Sequence, residues 1–192
     1  MRLGVLGLQG AVREHLRSLA RLEIEARTVK RLEDLARLDG LILPGGESTA
    51  IARIAGRGFL EALRAMARNG FPLFGTCAGM ILLAAQVEGR NEATIGAIDI
   101  TVARNASGRQ VDSFETHLSI EEIGEDVPAV FIRAPYITRL GSGVTALAEY
   151  DHAVVMAREG NVLVSSFHPE LTDDLRVHRY FAGIVERHKK ED

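Results

Sequence analysis

The chain has 192 residues, 46% of them hydrophobic, enough for one domain with a substantial core and too apolar for a disordered segment. Lysine and arginine number 23 against 26 aspartates and glutamates; the net charge of −3 gives no hint of nucleic acid or an anionic membrane surface as partner. A single cysteine cannot form an internal disulfide, and the lack of tryptophan argues against a surface for stacking bases or sugars.

The N-terminus enters an apolar strand directly, over residues 3–8, with no leader-like charged region and cleavage site. No apolar run approaches membrane-spanning length, so a cytoplasmic protein is expected. Gln9-Gly10 follows, then an amphipathic helix over residues 11–21 with Val12, Leu16 and Leu19 at helical spacing. In an open α/β sheet such a loop lies at the carboxyl ends of the strands, where ligands bind. A second strand is predicted over 24–29, a short helix over 31–38 and a third strand over 41–43. That strand runs into Pro44-Gly45-Gly46-Glu47-Ser48-Thr49, a glycine-rich turn without the lysine of a phosphate loop. Its N–H groups can approach a ligand closely, and Ser48 or Thr49 is the expected cap of a helix over 49–55. Another amphipathic helix is expected over 59–68, closed by Asn69-Gly70.

The next stretch, Phe71-Pro72-Leu73-Phe74-Gly75-Thr76-Cys77-Ala78-Gly79-Met80, reads as a strand and a tight turn, with a helix over 80–87 to follow. Gly-x-Cys-x-Gly is the cysteine counterpart of the Gly-x-Ser-x-Gly elbow, in which glycines permit a sharp bend. A thiol there sits at a helix N-terminus, whose exposed N–H groups and dipole favour the reactive thiolate. The Ala78 N–H is placed to face a developing oxyanion. Taken alone, a lone cysteine is more often a small buried hydrophobe; the flanking glycines are what single it out.

Up to this point strands and helices alternate, which implies a mostly parallel sheet covered on both faces. Beyond Glu88 strands dominate, over 95–102, 114–123, 129–133, 144–150, 153–158 and 162–167, with a polar, turn-rich segment over 105–112. This half is expected to form an antiparallel extension plus a return strand. A helix over 174–190 closes the chain, with Thr172 and Asp173 as cap candidates. No repeat or linker divides it, so residues 1–192 are expected to be a single domain.

A catalytic cysteine needs a base, and the base an orienting group. Of six histidines, His15, His178 and His188 are expected on helix surfaces, His152 in a turn and His117 in a strand. His168 differs, because it follows an apolar strand and Pro169-Glu170 comes next. Residues two apart in extended backbone project to one side, so Glu170 can reach the imidazole, hold its tautomer and stabilise its charged form.

The combination resembles the class I glutamine amidotransferases, whose elbow is Gly-x-Cys-x-Gly and whose base and orienter read His-Pro-Glu. It is most similar to the branch formed by the glutaminase subunits of pyridoxal 5′-phosphate synthase, the PdxT family. The segments that carry this are Gly7-Leu8-Gln9-Gly10, Leu43-Pro44-Gly45-Gly46-Glu47-Ser48-Thr49, Gly75-Thr76-Cys77-Ala78-Gly79-Met80, Arg104-Asn105, Asp112-Ser113-Phe114-Glu115, Ile132-Arg133-Ala134-Pro135 and Phe167-His168-Pro169-Glu170-Leu171. The resemblance implies a three-layer flavodoxin-like α/β fold: a mostly parallel central sheet, helices on both faces and an antiparallel extension. It implies Cys77 as nucleophile, with His168 and Glu170 completing a triad. Gly46, Glu47 and Ser48 would line a glutamine site, with the Gly46 and Ala78 amides as oxyanion hole. Arg104, Arg133 and Ala134 would hold the amino-acid end of glutamine, for whose carboxylate and ammonium an arginine and a glutamate are suitable partners.

The implied reaction is hydrolysis of L-glutamine through a thioester, with no cofactor and no metal. The implied partner is a separate (β/α)-barrel synthase subunit in a large hetero-oligomer. It takes the ammonia, and docking onto it completes the oxyanion hole; Gln9 and Gly10 are expected to couple docking to the site. Three alternatives stay open on sequence alone: another amidotransferase branch such as the glutaminase of imidazole glycerol phosphate synthase, a non-catalytic redox-sensing relative, and a cysteine peptidase. The papain-like signature is missing for the last.

Overall fold

The computed structural model describes residues 1–104 and 113–191. The polar segment expected over 105–112, including Asn105 and Asp112 of the motifs above, lies outside the described residues.

Five strands make the parallel half of the sheet: β1 (Arg2–Leu6), β2 (Glu25–Val29), β3 (Gly40–Leu43), β4 (Leu73–Thr76) and β12 (Val162–Ser165). Their order is β2-β1-β3-β4-β12, all parallel. The last strand returns from the far end of the sequence to pair with β4, aligning Ser165 with Thr76. Four-residue strands buried along their whole length, as in β3, β4 and β12, are what a sheet covered on both faces requires.

Alternate residues feed two cores, as the two-residue period of a strand dictates. Leu41, Leu43, Leu73, Val162 and Val164 pack against helix α2 (Ser48–Arg68) and helix α3 (Ala78–Leu83). Ile42, Phe74 and Leu163 face the opposite way, toward helix α1 (Val12–Arg21) and helix α4 (Arg176–Glu191). The two helices expected over 49–55 and 59–68 are one element, α2, broken at Gly56 (φ 75°, ψ 165°). Its cap is Glu47, whose carboxylate accepts from the Thr49 and Ala50 N–H groups at 3.2 and 2.7 Å; Ser48 and Thr49 lie inside the helix. At the start of α4 it is Asp174, rather than Thr172 or Asp173, that accepts the Arg176 N–H at 2.8 Å. The segment over 31–38 contains a single 3₁₀ turn, Leu32–Leu35.

The helix expected over 80–87 is shorter. It ends at Leu83, and Ala84–Val87 forms β5, parallel to β6 (Ile98–Ala103). The Leu82 and Leu83 carbonyls, which a longer helix would use internally, accept from Ile95 and Ala97 at 2.6 and 2.8 Å. The second half supplies β9 (Tyr136–Leu140), β10 (Thr145–Tyr150) and β11 (Ala153–Glu159), which extend the sheet antiparallel beyond β12; β9 is a strand that the sequence pattern does not reveal. A separate antiparallel ribbon, β7 (Phe114–Ile120) and β8 (Gly124–Phe131), packs on the α1/α4 core. Pro128 is tolerated there because a two-stranded ribbon leaves each strand one unpaired edge.

Candidate active site

The carboxyl ends of β1, β3, β4 and β12, four neighbours in the sheet, open on a cavity of about 500 Å³. Each contributes one loop: Gln9 to Ala11 after β1, Gly45 to Ser48 after β3, Cys77 and Ala78 after β4, and His168 after β12. Ile81, Arg104, Ile132, Arg133, Pro135 and Leu171 complete the wall.

Cys77 sits on the bend between β4 and α3 with φ 48° and ψ −103°, a left-handed conformation that costs a non-glycine residue roughly 1–3 kcal/mol. The two glycines of the motif allow it. A Cβ on Gly79 would lie 1.9 Å from the Leu43 carbonyl oxygen, and one on Gly75 would lie 2.5 Å from the Gly79 backbone. The bend is therefore pressed against the end of β3, and the Cys77 N–H donates to the Ser165 carbonyl of β12 at 2.8 Å.

His168 leaves β12 with its N–H donated to Val130 of the β7–β8 ribbon at 2.8 Å. Its imidazole and the Cys77 side chain flank Gly45 on the same cavity wall, and its Nδ1 is 2.8 Å from Glu170 Oε1. The backbone is not extended as expected. Pro169–Leu171 is a 3₁₀ turn, and it is this turn that carries Glu170 back to the ring. Gly45 closes the third side, where a Cβ would stand 2.3 Å from His168 Cε1. Burial opposes the charged form of His168, but the bonds and charges of Cys77 and Glu170 outweigh it, and its pKa is pushed up to about 10. Burial likewise opposes the Glu170 carboxylate, and the facing imidazoles of His15 and His168 outweigh that too, holding the group below the usual carboxylate range. A cysteine sulfur, a charged imidazole and the ionised carboxylate that orients it can together carry out nucleophilic acyl transfer.

The glycine loop is clamped by the loop after β1. Glu47 N–H donates to Gln9 Oε1 at 2.9 Å, and Ala11 N–H donates to the Gly45 carbonyl at 3.2 Å. A Cβ on Gly10 (φ 104°) would stand 1.7 Å from that same carbonyl oxygen. Gly46, Ala78, Gln9 and Gly10 thus all border the cavity.

The guanidinium of Arg104 reaches across to this loop. It donates to the Ser48 hydroxyl, lies 3.6 Å from Glu47 Oε1 and pairs with Glu92 Oε2 at 2.9 Å. Arg133 is exposed on the rim, while Ala134 turns away and packs with the α1/α4 core. Sequence reasoning misses Glu92, since no motif marks it. It misses Thr76 as well, whose hydroxyl accepts the Gly45 N–H at 3.1 Å.

The chain matches the SNO glutamine amidotransferase family over residues 5–187. It belongs to that family. It is 56% identical over 187 residues to the pyridoxal 5′-phosphate synthase subunit PdxT of Carboxydothermus hydrogenoformans, covering 96% of this chain and 98% of that one. It is 55% identical over 190 residues to the PdxT of Bacillus cereus strain B4264, covering 98% and 97%. A solved glutamine amidotransferase superposes with a TM-score of 0.91 at 48% identity, over 96% of this chain and 98% of the other. The PurLQS structure from Thermotoga maritima shares the fold, with a TM-score of 0.72 at 17% identity.

Two histidines expected on helix surfaces are buried. His15 and His178 are both 0% exposed and meet behind the site, with His15 Nδ1 2.9 Å from His178 Nε2. The signal was available: His15 falls three residues after Val12 and four before Leu19, on the same face of α1. His117 is exposed on β7 and His152 lies in a turn.

Proposed function

We propose that this amidotransferase hydrolyses L-glutamine to L-glutamate and ammonia and supplies the ammonia to a pyridoxal 5′-phosphate synthase barrel subunit. The observation that carries this reading is the convergence of Cys77, His168 and Glu170 where β4 and β12 end side by side. The names of the relatives just described supply the synthase.

In the mechanism, the Cys77 sulfur attacks the side-chain amide carbon of glutamine, and negative charge develops on the amide oxygen. The Gly46 and Ala78 N–H groups are assigned to that oxyanion. The C–N bond breaks as His168 passes its proton to the departing nitrogen, releasing ammonia and leaving a thioester. His168, now neutral, takes a proton from water; the hydroxide adds to the thioester, and glutamate leaves as sulfur recovers its electron pair. Glu170 holds the imidazole throughout. Arg104 and Arg133 are assigned to the substrate carboxylate and Glu47 to its ammonium, with Gly46, Ser48 and the turn bearing Ala134 shaping the pocket.

Gln9 and Gly10 are assigned to coupling, because the Gln9 amide holds the very loop that would supply Gly46 to the oxyanion. Residues 1–192 are read as a single glutaminase domain. Among the described residues no helix is long and apolar enough to cross a membrane, and a cytoplasmic site of action is the corresponding proposal.

The test is ammonia release from glutamine by the purified chain, with and without the synthase subunit, beside Cys77→Ala and Gln9→Ala. The expected result is low release alone, a large rise with the partner, none with Cys77→Ala and a blunted rise with Gln9→Ala. No release in either condition, with the partner bound, would overturn the glutaminase reading; an undiminished rise with Gln9→Ala would remove only the coupling role.

A further inference from the structure

The triad leaves one atom unexplained. Glu170 Oε2 is buried and makes no hydrogen bond among the described residues. A carboxylate oxygen taken out of water without a partner is costly. What stands opposite it is His15 Nε2, at 3.5 Å, and the same nitrogen is 3.3 Å from Thr76 Oγ1.

The tautomer of His15 follows from its other neighbour. Its Nδ1 lies 2.9 Å from His178 Nε2, so one of those two nitrogens carries the proton. His178 Nδ1 is likewise buried, with no hydrogen-bond partner among the described residues. If His15 Nδ1 were the donor, His178 Nδ1 would have to be a buried N–H with nothing to bond. In addition, the His15 Nε2 lone pair would face a carboxylate. If His178 Nε2 is the donor, His178 Nδ1 is a bare acceptor, which burial tolerates better than an orphaned N–H. His15 Nε2 then carries its hydrogen toward Glu170 and Thr76.

We propose that His15 is a positioning residue of the glutaminase site: its neutral Nε2–H tautomer, set by His178, serves the second oxygen of Glu170 and so fixes the plane of the carboxylate that orients His168. The proposal rests on the glutaminase reading above. A glutamate bound at one oxygen can still rotate about its last torsion, which is broad and roughly two-fold. Contact at both oxygens stops that rotation. The contact with Thr76 links the same imidazole to the glycine loop, since Thr76 accepts the Gly45 N–H.

The surroundings agree with a neutral ring. His15 is packed by Phe74 of β4, His178 of α4 and Glu170 of the 3₁₀ turn, with His168 beyond Glu170 and Glu14 on its own helix. Burial pulls the His15 pKa down, Glu170 and Glu14 pull it up and His168 pulls it down, with a lowered value as the result. Burial also drives His178 down, to about 3.

Two measurements test this. Histidine ¹⁵N NMR on the wild-type chain at pH 7 is expected to show His15 neutral and protonated at Nε2; an imidazolium, or a proton on Nδ1, would overturn the proposal. In the complex with the synthase subunit, His15→Leu is expected to lower kcat for ammonia release about 10- to 100-fold, the usual loss when a supporting partner is removed. KM should stay within about threefold, since no substrate contact is lost. His15→Gln places an amide N–H near the position of Nε2 and is expected to restore kcat to within about threefold. A kcat for His15→Leu within about twofold of wild type, or equal losses for the two variants, would overturn it. If wild-type complex released no ammonia, the glutaminase reading would fall while the NMR spectrum still decided the tautomer.

Discussion

Glu170 faces two histidines at once: its Oε1 lies 2.8 Å from His168 Nδ1, and its Oε2 lies 3.5 Å from His15 Nε2. The first contact orders the imidazole that faces Cys77, so removing its charge is a direct test of the triad. Glu170→Gln keeps the shape of the side chain but no longer stabilises an imidazolium, and its amide can turn a donor toward Nδ1. The expected loss in kcat is on the order of 10²- to 10⁴-fold, with KM little changed. Steady-state ammonia release in the presence of the synthase subunit measures it, and a loss under tenfold would remove Glu170 from the mechanism.

Arg104 is held in place before any substrate arrives, by Glu92 on one side and by Ser48 and Glu47 on the other. If it binds the glutamine carboxylate, Arg104→Ala removes a charge-assisted hydrogen bond worth about 1.5–3 kcal/mol, or roughly 10- to 150-fold in KM. Arg104→Lys keeps the charge without the fork and should fall between. Glutamine titrations of the initial rate separate the three proteins. An unchanged KM in Arg104→Ala would move the carboxylate site to the rim, at Arg133.

How much of this was legible in the sequence depended on whether the signal was local. The Gly-x-Cys-x-Gly bend, the glycine loop after β3 and His168 at the end of β12 each carry their chemistry in a few consecutive residues. What the sequence hid was set by partners far along the chain. Residues 84–87 pair with β6 instead of continuing α3, because Ile95 and Ala97 take the helix's last carbonyls. Glu92 meets Arg104, and His15 meets His178 across 163 residues. Arg13 and Arg17 flank His15 and favour a solvated surface, whereas its spacing from Val12 and Leu19 places it inward. Glu47 looked like a ligand contact and is also a helix cap, so one carboxylate serves two purposes.

The buried histidines make folding sensitive to acid. His178 has a folded pKa of about 3, and that of His15 is also lowered, against about 6.5 for each in the unfolded chain. The unfolded state therefore binds more protons below pH 6.5, and stability falls from there toward pH 3. For His178 alone the slope is about 1.4 kcal/mol per pH unit. Glu170, lowered in the folded state, adds to the loss once the pH drops toward the ordinary carboxylate range. His168 acts oppositely: with its pKa raised to about 10, its contribution is complete below pH 6.5 and disappears as pH rises through 10. Urea midpoints taken from pH 8 down to pH 4.5 should decline below 6.5. A flat profile there would mean that these imidazoles are solvated.

Two glycine substitutions should have opposite signs. Gly58 is exposed within α2, with ordinary helical backbone and nothing within 4 Å of where a Cβ would stand. Gly58→Ala should add roughly 0.5–1 kcal/mol, from helix propensity and a less flexible unfolded chain. Gly79 also lies in a helix, α3, yet its Cβ would fall 1.9 Å from the Leu43 carbonyl oxygen. That neighbour is backbone at the end of β3, so relief requires moving either the strand that carries the glycine loop or the bend that carries Cys77. Gly79→Ala should therefore cost about 1–3 kcal/mol or more. It should also lower glutamine turnover, because either movement separates Cys77 from Gly45 and Gly46. Thermal unfolding and ammonia release on both variants check the pair. If Gly79→Ala folded with wild-type stability and turnover, the close approach of α3 to β3 could not be what sets the geometry of the nucleophile.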